Sequence, residues 1–230
     1  NLPLLSPRLA AIAKSVGKCE RFADIGTDHA YLPVYLCKTQ SAQSAIACDI
    51  NPDPLLRAEN TVKAYNAQEL VELRLGCGLE PLAVDEVDAV VIAGMGGLLI
   101  ADILESGLDK IQNAEKIILQ PMSAVPELRE YLYTHGWRIL SEYLAVEEDK
   151  IYNIISVAPP TFTDDGAVAY RYTPTAAEIF IGKYLTENKP EHFDIYLKKR
   201  KNKLDKMIDG LKKSKSDESQ KKLNECVRLR

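Results

Sequence analysis

The sequence predicts a doubly wound α/β sheet followed by a C-terminal helical hairpin, coiled-coil-like in its seam. Three observations predict it. Short apolar runs alternate with amphipathic stretches through the first two thirds of the chain, the signature of successive β-α units. Residues 87–93 (V-D-A-V-V-I-A) are apolar at nearly every position, as in a parallel strand covered on both faces. Beyond about residue 173 the strand pattern stops and apolar residues recur at helical spacing. The change follows A-P-P at 158–160, which divides the chain into domains 1–160 and 161–230.

Each element has its own warrant. Residues 21–26 (R-F-A-D-I-G) form a short strand ending in a turn, and a helix over 30–38 follows. Residues 44–50 form the second strand. Asn51 stands at an N-cap position, with proline in the first turn of a helix over 52–66. Residues 70–75 alternate charge with Leu and Val, as near a sheet edge. The strand over 87–93 ends in a turn at 94–97, followed by a helix over 98–105. The strand over 116–120 is stopped by Pro121. A helix over 125–134 ends at His135-Gly136. Segments 137–146 and 151–157, joined through E-E-D-K, form a hairpin that adds an antiparallel strand to the sheet. Residues 161–172 read as an irregular linker. A helix runs from Pro174 to about 187 and a second from 190 to 213, with Phe193, Leu197, Leu204, Ile208 and Leu211 on one stripe. A turn over 213–216 leads to a last helix over 217–229, contributing Leu223 and Val227.

Composition narrows the function classes. The 230 residues are 46% hydrophobic and 27% charged, the balance of a globular chain. No apolar run approaches the roughly 18 residues of a membrane span, and the opening N-L-P-L-L is too short for the apolar core of a signal peptide. Cys19, Cys37, Cys48, Cys77 and Cys226 include no C-x-x-C pair. Neither a metal site nor a disulfide framework is expected, and reduced thiols fit a cytoplasmic location. Residues 190–230 hold 13 Lys and Arg against 7 Asp and Glu, whereas residues 1–189 hold 16 against 26. A basic tail on an acidic body suggests an anionic partner, although a solvated helical surface would look the same.

Three strand ends carry the chemistry. After the first strand come Asp24, Gly26, Thr27, Asp28 and His29, where glycine permits a sharp turn against a ligand. Asp49 ends the second strand, 23 residues past Gly26. An acid there can accept hydrogen bonds from the ribose hydroxyls of an adenosine cofactor. Ala93, Gly94, Met95, Gly96 and Gly97 stand at the end of the fourth strand, their glycines allowing backbone near the reacting centre. A dinucleotide would need its pyrophosphate against a G-x-G-x-x-G turn. Here Asp28 stands where the phosphate would lie, and like charges repel. S-adenosylmethionine (SAM) has no phosphate and carries a sulfonium cation, which suits acids.

The segments A-D-I-G-T-D-H-A-Y-L-P, C-D-I-N-P, G-C-G-L, A-G-M-G-G and I-L-Q-P together resemble the bacterial tRNA (adenine-22-N1)-methyltransferase (TrmK) family, over nearly the whole chain. The resemblance implies a Rossmann-like class I methyltransferase fold, SAM as methyl donor and N1 of adenine 22 in tRNA as acceptor. With the strand-end reading it yields a cofactor set of Asp24, Gly26, Thr27, His29, Asp49, Ile50, Asn51, Gly76, Cys77, Gly78, Ala93, Gly94 and Met95. Asp28 and Met95 are expected at the reacting centre. Many amino-methylating class I enzymes carry an Asp/Asn-Pro-Pro-aromatic loop after the fourth strand. Gly94-Met95-Gly96 replaces it here, so that loop's roles do not transfer.

Other residues divide between function and packing. Arg8, after Ser6-Pro7, either faces the site or lies on the surface. Tyr31 and Pro33 are expected to pack the first helix. The basic tail would hold tRNA phosphates, with no obligate protein partner and a monomeric state. A methyltransferase for another RNA or a small molecule, a non-catalytic tRNA-binding protein and an NAD-dependent oxidoreductase remain as alternatives at this level.

Overall fold

The computed structural model describes residues 1–213 and 216–229. The chain divides into two compact units, Asn1–Thr173 and Pro174–Arg230. In the first unit the elements run α1 (Pro7–Val16), β1 (Cys19–Ile25), α2 (Tyr31–Lys38), β2 (Ala42–Asp49), α3 (Pro52–Ala64) and β3 (Val71–Leu75). They continue through β4 (Ala89–Gly96), α4 (Gly97–Ser106), α5 (Leu108–Ile111), β5 (Lys116–Ser123), α6 (Val125–Thr134), β6 (Arg138–Glu147) and β7 (Lys150–Ala158).

The seven strands form one sheet in the order β3-β2-β1-β4-β5-β7-β6. The first five are parallel, and β7 lies antiparallel to both β5 and β6. Phe22, Ala23, Asp24 and Ile25 of β1 are all buried, as are Ala89, Val90, Val91 and Ile92 of β4. Burial of consecutive residues means that both faces of these strands are covered, which explains their nearly unbroken apolar runs. Strand order reverses between β1 and β4, so a crevice opens at their carboxyl ends, the place where open α/β sheets bind ligands.

Some local expectations change. The segment 94–97, expected as a turn, continues β4 through Gly96 with register shifts around Met95. Pro121 does not stop β5, which runs on to Ser123. Pairing with β7 covers only Ile117 to Leu119. Pro121 therefore sits where the strand has one neighbour, a position that tolerates a missing N–H. Helix α1 precedes the expected elements: Ser6 Oγ accepts from the Leu9 N–H at 3.4 Å and Pro7 opens the first turn. It buries Ile12, Ala13 and Val16. Residues 161–173 belong with the first unit, where Phe162 bridges Val168 and the Tyr172 ring lies 5.2 Å from that of Tyr133.

The second unit contains α7 (Ala176–Phe180), α8 (Lys183–Asn188), α9 (Phe193–Leu211) and α10 (Asp217–Leu229). Thr175 and Glu178 form a reciprocal capping box that starts α7. The single helix expected from Pro174 is interrupted at Gly182, whose φ of 112° is outside the helical range. Leu204 and Ile208 of α9 pack with Cys226 of α10, flanked by Leu211 and Leu223. Leu197 and Val227, expected in this seam, are exposed, and Cys226 is buried in it instead. The centre of the turn expected over 213–216 lies outside the described residues.

Candidate active site

The end of β1 and the end of β2 are tied together by the backbone. The N–H groups of Gly26 and Thr27 both donate to the Cys48 carbonyl at 2.9 Å. This fixes Asp24 and Asp49 on neighbouring strands at the mouth of the crevice. Gly26 has a φ of 77°, and a Cβ there would meet the Met95 methyl. Asp28 and Ala30 follow with φ of 51° and 54°, so the turn holds two non-glycine residues in the left-handed region. That conformation is unfavourable for alanine and persists where surrounding structure enforces it, commonly at functional sites.

The crevice is a cleft of about 600 Å³ lined by Ser6, Arg8, Asp24, Gly26, Thr27, Asp28, His29, Tyr31, Asp49, Ala93, Gly94, Met95, Met122 and Glu147, among others. A smaller pocket of about 120 Å³ is lined by Ile50, Gly76, Cys77, Gly78, Leu99 and Ile103, again with Gly26, Asp49 and Met95. Met95 thus stands between the two spaces. The larger space carries the acidic side chains, and the smaller one is mostly apolar, a lining that suits a heteroaromatic ring.

Asp24 is 6% exposed in this acidic setting. Burial pushes its carboxyl up to about 6; the Thr27 hydroxyl, donating to Asp24 Oδ2 at 2.7 Å, and the Arg8 charge oppose the rise, while Asp49 adds to it. Arg8 is the only Lys or Arg among the described lining residues. Its Nη1 donates to Oε1 of the fully buried Gln120 at 2.8 Å, and its guanidinium lies 5.6 Å from the centre of the Tyr152 ring. The Asp28 carboxylate receives Arg57 Nε at 3.1 Å and Arg57 Nη2 on the same oxygen. His29 stacks on Tyr31 with ring centres 5.3 Å apart. Asp49 Oδ1 accepts from the Asn51 N–H at 3.0 Å.

The structure brings together nearly all of the residues expected from sequence. Asp24, Gly26, Thr27, Asp28, His29, Asp49, Ala93, Gly94 and Met95 line the cleft, and Ile50, Gly76, Cys77 and Gly78 line the pocket beside it. Asn51 lines neither; its side chain makes no capping hydrogen bond, and its backbone orients Asp49. Tyr31, expected to pack α2, instead lines the cleft, whereas Pro33 is buried as expected. Arg8 faces the site. Met122 and Glu147 had no local signal, because β5 and β6 deliver them through the sheet topology. Gly96 and Gly97 line neither space: a Cβ on Gly96 would lie 3.3 Å from Ser123 Oγ, and one on Gly97 would meet the Ala124 carbonyl oxygen.

Comparison with known proteins adds a second line of observation. A family model described as a methyltransferase domain matches residues 5–155. The tRNA (adenine(22)-N(1))-methyltransferase of Bacillus subtilis (strain 168) is 36% identical over 195 residues, 85% of this chain and 79% of that protein. The crystal structure of the B. subtilis m1A22 tRNA methyltransferase TrmK superposes with a TM-score of 0.83 at 31% identity, covering 98% of this chain and 96% of that one. The structure of M. capricolum TrmK in complex with S-adenosyl-homocysteine, described as the natural cofactor product, gives a TM-score of 0.80 at 28% identity, covering 98% and 97%.

Proposed function

The chain belongs to the tRNA (adenine(22)-N(1))-methyltransferase family, and on that premise we infer that it transfers a methyl group from SAM to N1 of adenine 22 in tRNA, within the cleft at the ends of β1, β2 and β4. The observation that carries the site assignment is the charge of the cleft. Asp24, Asp28, Asp49 and Glu147 line it, with Arg8 the one Lys or Arg among the described lining residues. That set fits a ligand with a cationic centre and one carboxylate, and repels a diphosphate.

The residues present fit SAM part by part. Asp49 would accept from the ribose hydroxyls. The apolar pocket of Ile50, Cys77, Gly78, Leu99 and Ile103 would take the adenine ring. Arg8, held by Gln120, would pair with the amino-acid carboxylate, and Asp24 would hold the ammonium. When bound, SAM supplies an electrophilic methyl on a sulfonium. Adenine N1 keeps a free lone pair at neutral pH, so the chain does not have to generate the nucleophile; its main task is to hold the base in line. Positive charge grows on the purine as the bond forms. Asp28, at the lip of the cleft, offsets that charge and orients the exocyclic amine. The target base lies in folded tRNA and must be exposed before it reaches the cleft.

The Pro174–Arg230 unit contributes phosphate contacts through Lys198, Lys199, Lys201, Lys203 and Lys206, all exposed on α9. The chain works as a monomer in the cytoplasm. The free cysteines and the α9–α10 seam, packed within one chain, support this reading. The test is mass spectrometry of tRNA nucleosides after incubation with SAM. The expected product is 1-methyladenosine, absent when position 22 of the tRNA is guanosine. Methylation that persists in the guanosine-22 transcript would refute the assignment.

A further inference from the structure

We propose that Arg57 binds a phosphate of the RNA strand that presents the target base, and that this phosphate and Asp28 compete for its guanidinium. The inference rests on the reading of the cleft as an RNA methylation site. Four carboxylates line the cleft, and an approaching polyanion is repelled by them. Arg8 is already engaged with Gln120 and the Tyr152 ring. A cation at the rim is needed, and Arg57 of α3 supplies one beside Asp28.

The geometry of the pair favours exchange. Arg57 Nε and Nη2 both donate to Asp28 Oδ1, while His29 Nε2 lies 3.6 Å from Oδ2. The guanidinium fork is thus spent on one oxygen, where a phosphate would offer two. The side chains are 45% and 57% exposed, and an ion pair so open to water contributes only about 0–1 kcal/mol. Asp28 has a short side chain on a turn with φ of 51°, whereas Arg57 has a long flexible one. Exchange therefore moves Arg57 and leaves Asp28 in place. Arrival of RNA removes the cation that neutralises Asp28 when positive charge on the adenine requires a bare carboxylate.

The experiment measures binding of an unmodified tRNA transcript to the full chain across a salt series. Arg57→Ala is expected to weaken binding about fivefold and to reduce the slope of log K against log salt by about one. Arg57→Lys recovers most of that loss, and SAM affinity stays within about twofold in both. Asp28→Asn, which releases Arg57, is expected to tighten tRNA binding about threefold, and the gain should vanish in Asp28→Asn/Arg57→Ala. An unchanged salt slope in Arg57→Ala overturns the proposal. So does a gain that survives in the double variant, which would reflect removal of a negative charge and no competition. A wild-type chain that binds tRNA without forming 1-methyladenosine refutes the methylation reading, while the binding arms still judge Arg57 separately. A chain that does not bind tRNA overturns both.

Discussion

Asp24 is a buried acid whose ionisation is uphill in the free protein. Burial raises its carboxyl from 3.8 to about 6. The folded chain therefore retains a proton that the unfolded chain releases over about pH 4 to 6. This group favours the fold at low pH, and its contribution falls as pH rises through that window. Cofactor binding responds in the opposite sense, because an ammonium or sulfonium prefers the ionised form. SAM affinity is expected to rise between about pH 5 and 7 with a midpoint near about 6. In Asp24→Asn the profile should be flat, as read by calorimetry. Asp28 separates differently: Asp28→Ala should lower the single-turnover methylation rate about a hundredfold while changing SAM affinity less than about threefold; equal losses would make it a cofactor ligand only. These acids were legible from sequence because one turn and one strand end carry them. Arg8 was half legible: its place after Ser6-Pro7 left it open between the site and the surface, and only helix α1 turns it to the cleft. Met122 and Glu147 were not, since their place in the cleft depends on how distant strands pair.

At the scale of elements, the ends of β4 and β5 decide how the site is framed. Gly97 opens α4 against the chain leaving β5, where a Cβ would meet the Ala124 carbonyl oxygen. Gly97→Ala is expected to destabilise the chain by about 1–3 kcal/mol through overpacking, read as a lower midpoint in urea. An unchanged midpoint would mean that the segment after β5 yields freely. The glycines at 94–97 read from sequence as one turn facing the ligand. Of these only Gly94 lines the cleft, because β4 runs on to Gly96 in bulged register with β5. The strands themselves were legible, since burial on both faces writes an apolar run into the chain. Their ends were less so, because a proline such as Pro121 stops a strand only where its N–H is needed. The break at Gly182 had a signal in the glycine itself, but one glycine inside a helical pattern is often tolerated.

At the scale of the molecule, charge divides as the structure does. The acidic part of the chain is a sheet with an acid-lined cleft, and the basic part is a compact unit of helices from Pro174 onward. Ending the chain after Thr173 is expected to leave SAM affinity within about twofold and to weaken tRNA binding at least about tenfold, as loss of several phosphate contacts would. Undiminished tRNA binding would refute a role for this unit. The charge asymmetry was visible in the sequence, but the boundary was not: residues 161–173 look like a linker and pack with the sheet domain through contacts such as Tyr133–Tyr172. On the proposed function, the turn at Gly26 and its acids accept a sulfonium cofactor. Calorimetric titration of the full chain with SAM and, separately, with NAD tests it most directly. One equivalent of SAM should bind while NAD gives no heat above dilution; saturable binding of NAD with none of SAM would contradict the account.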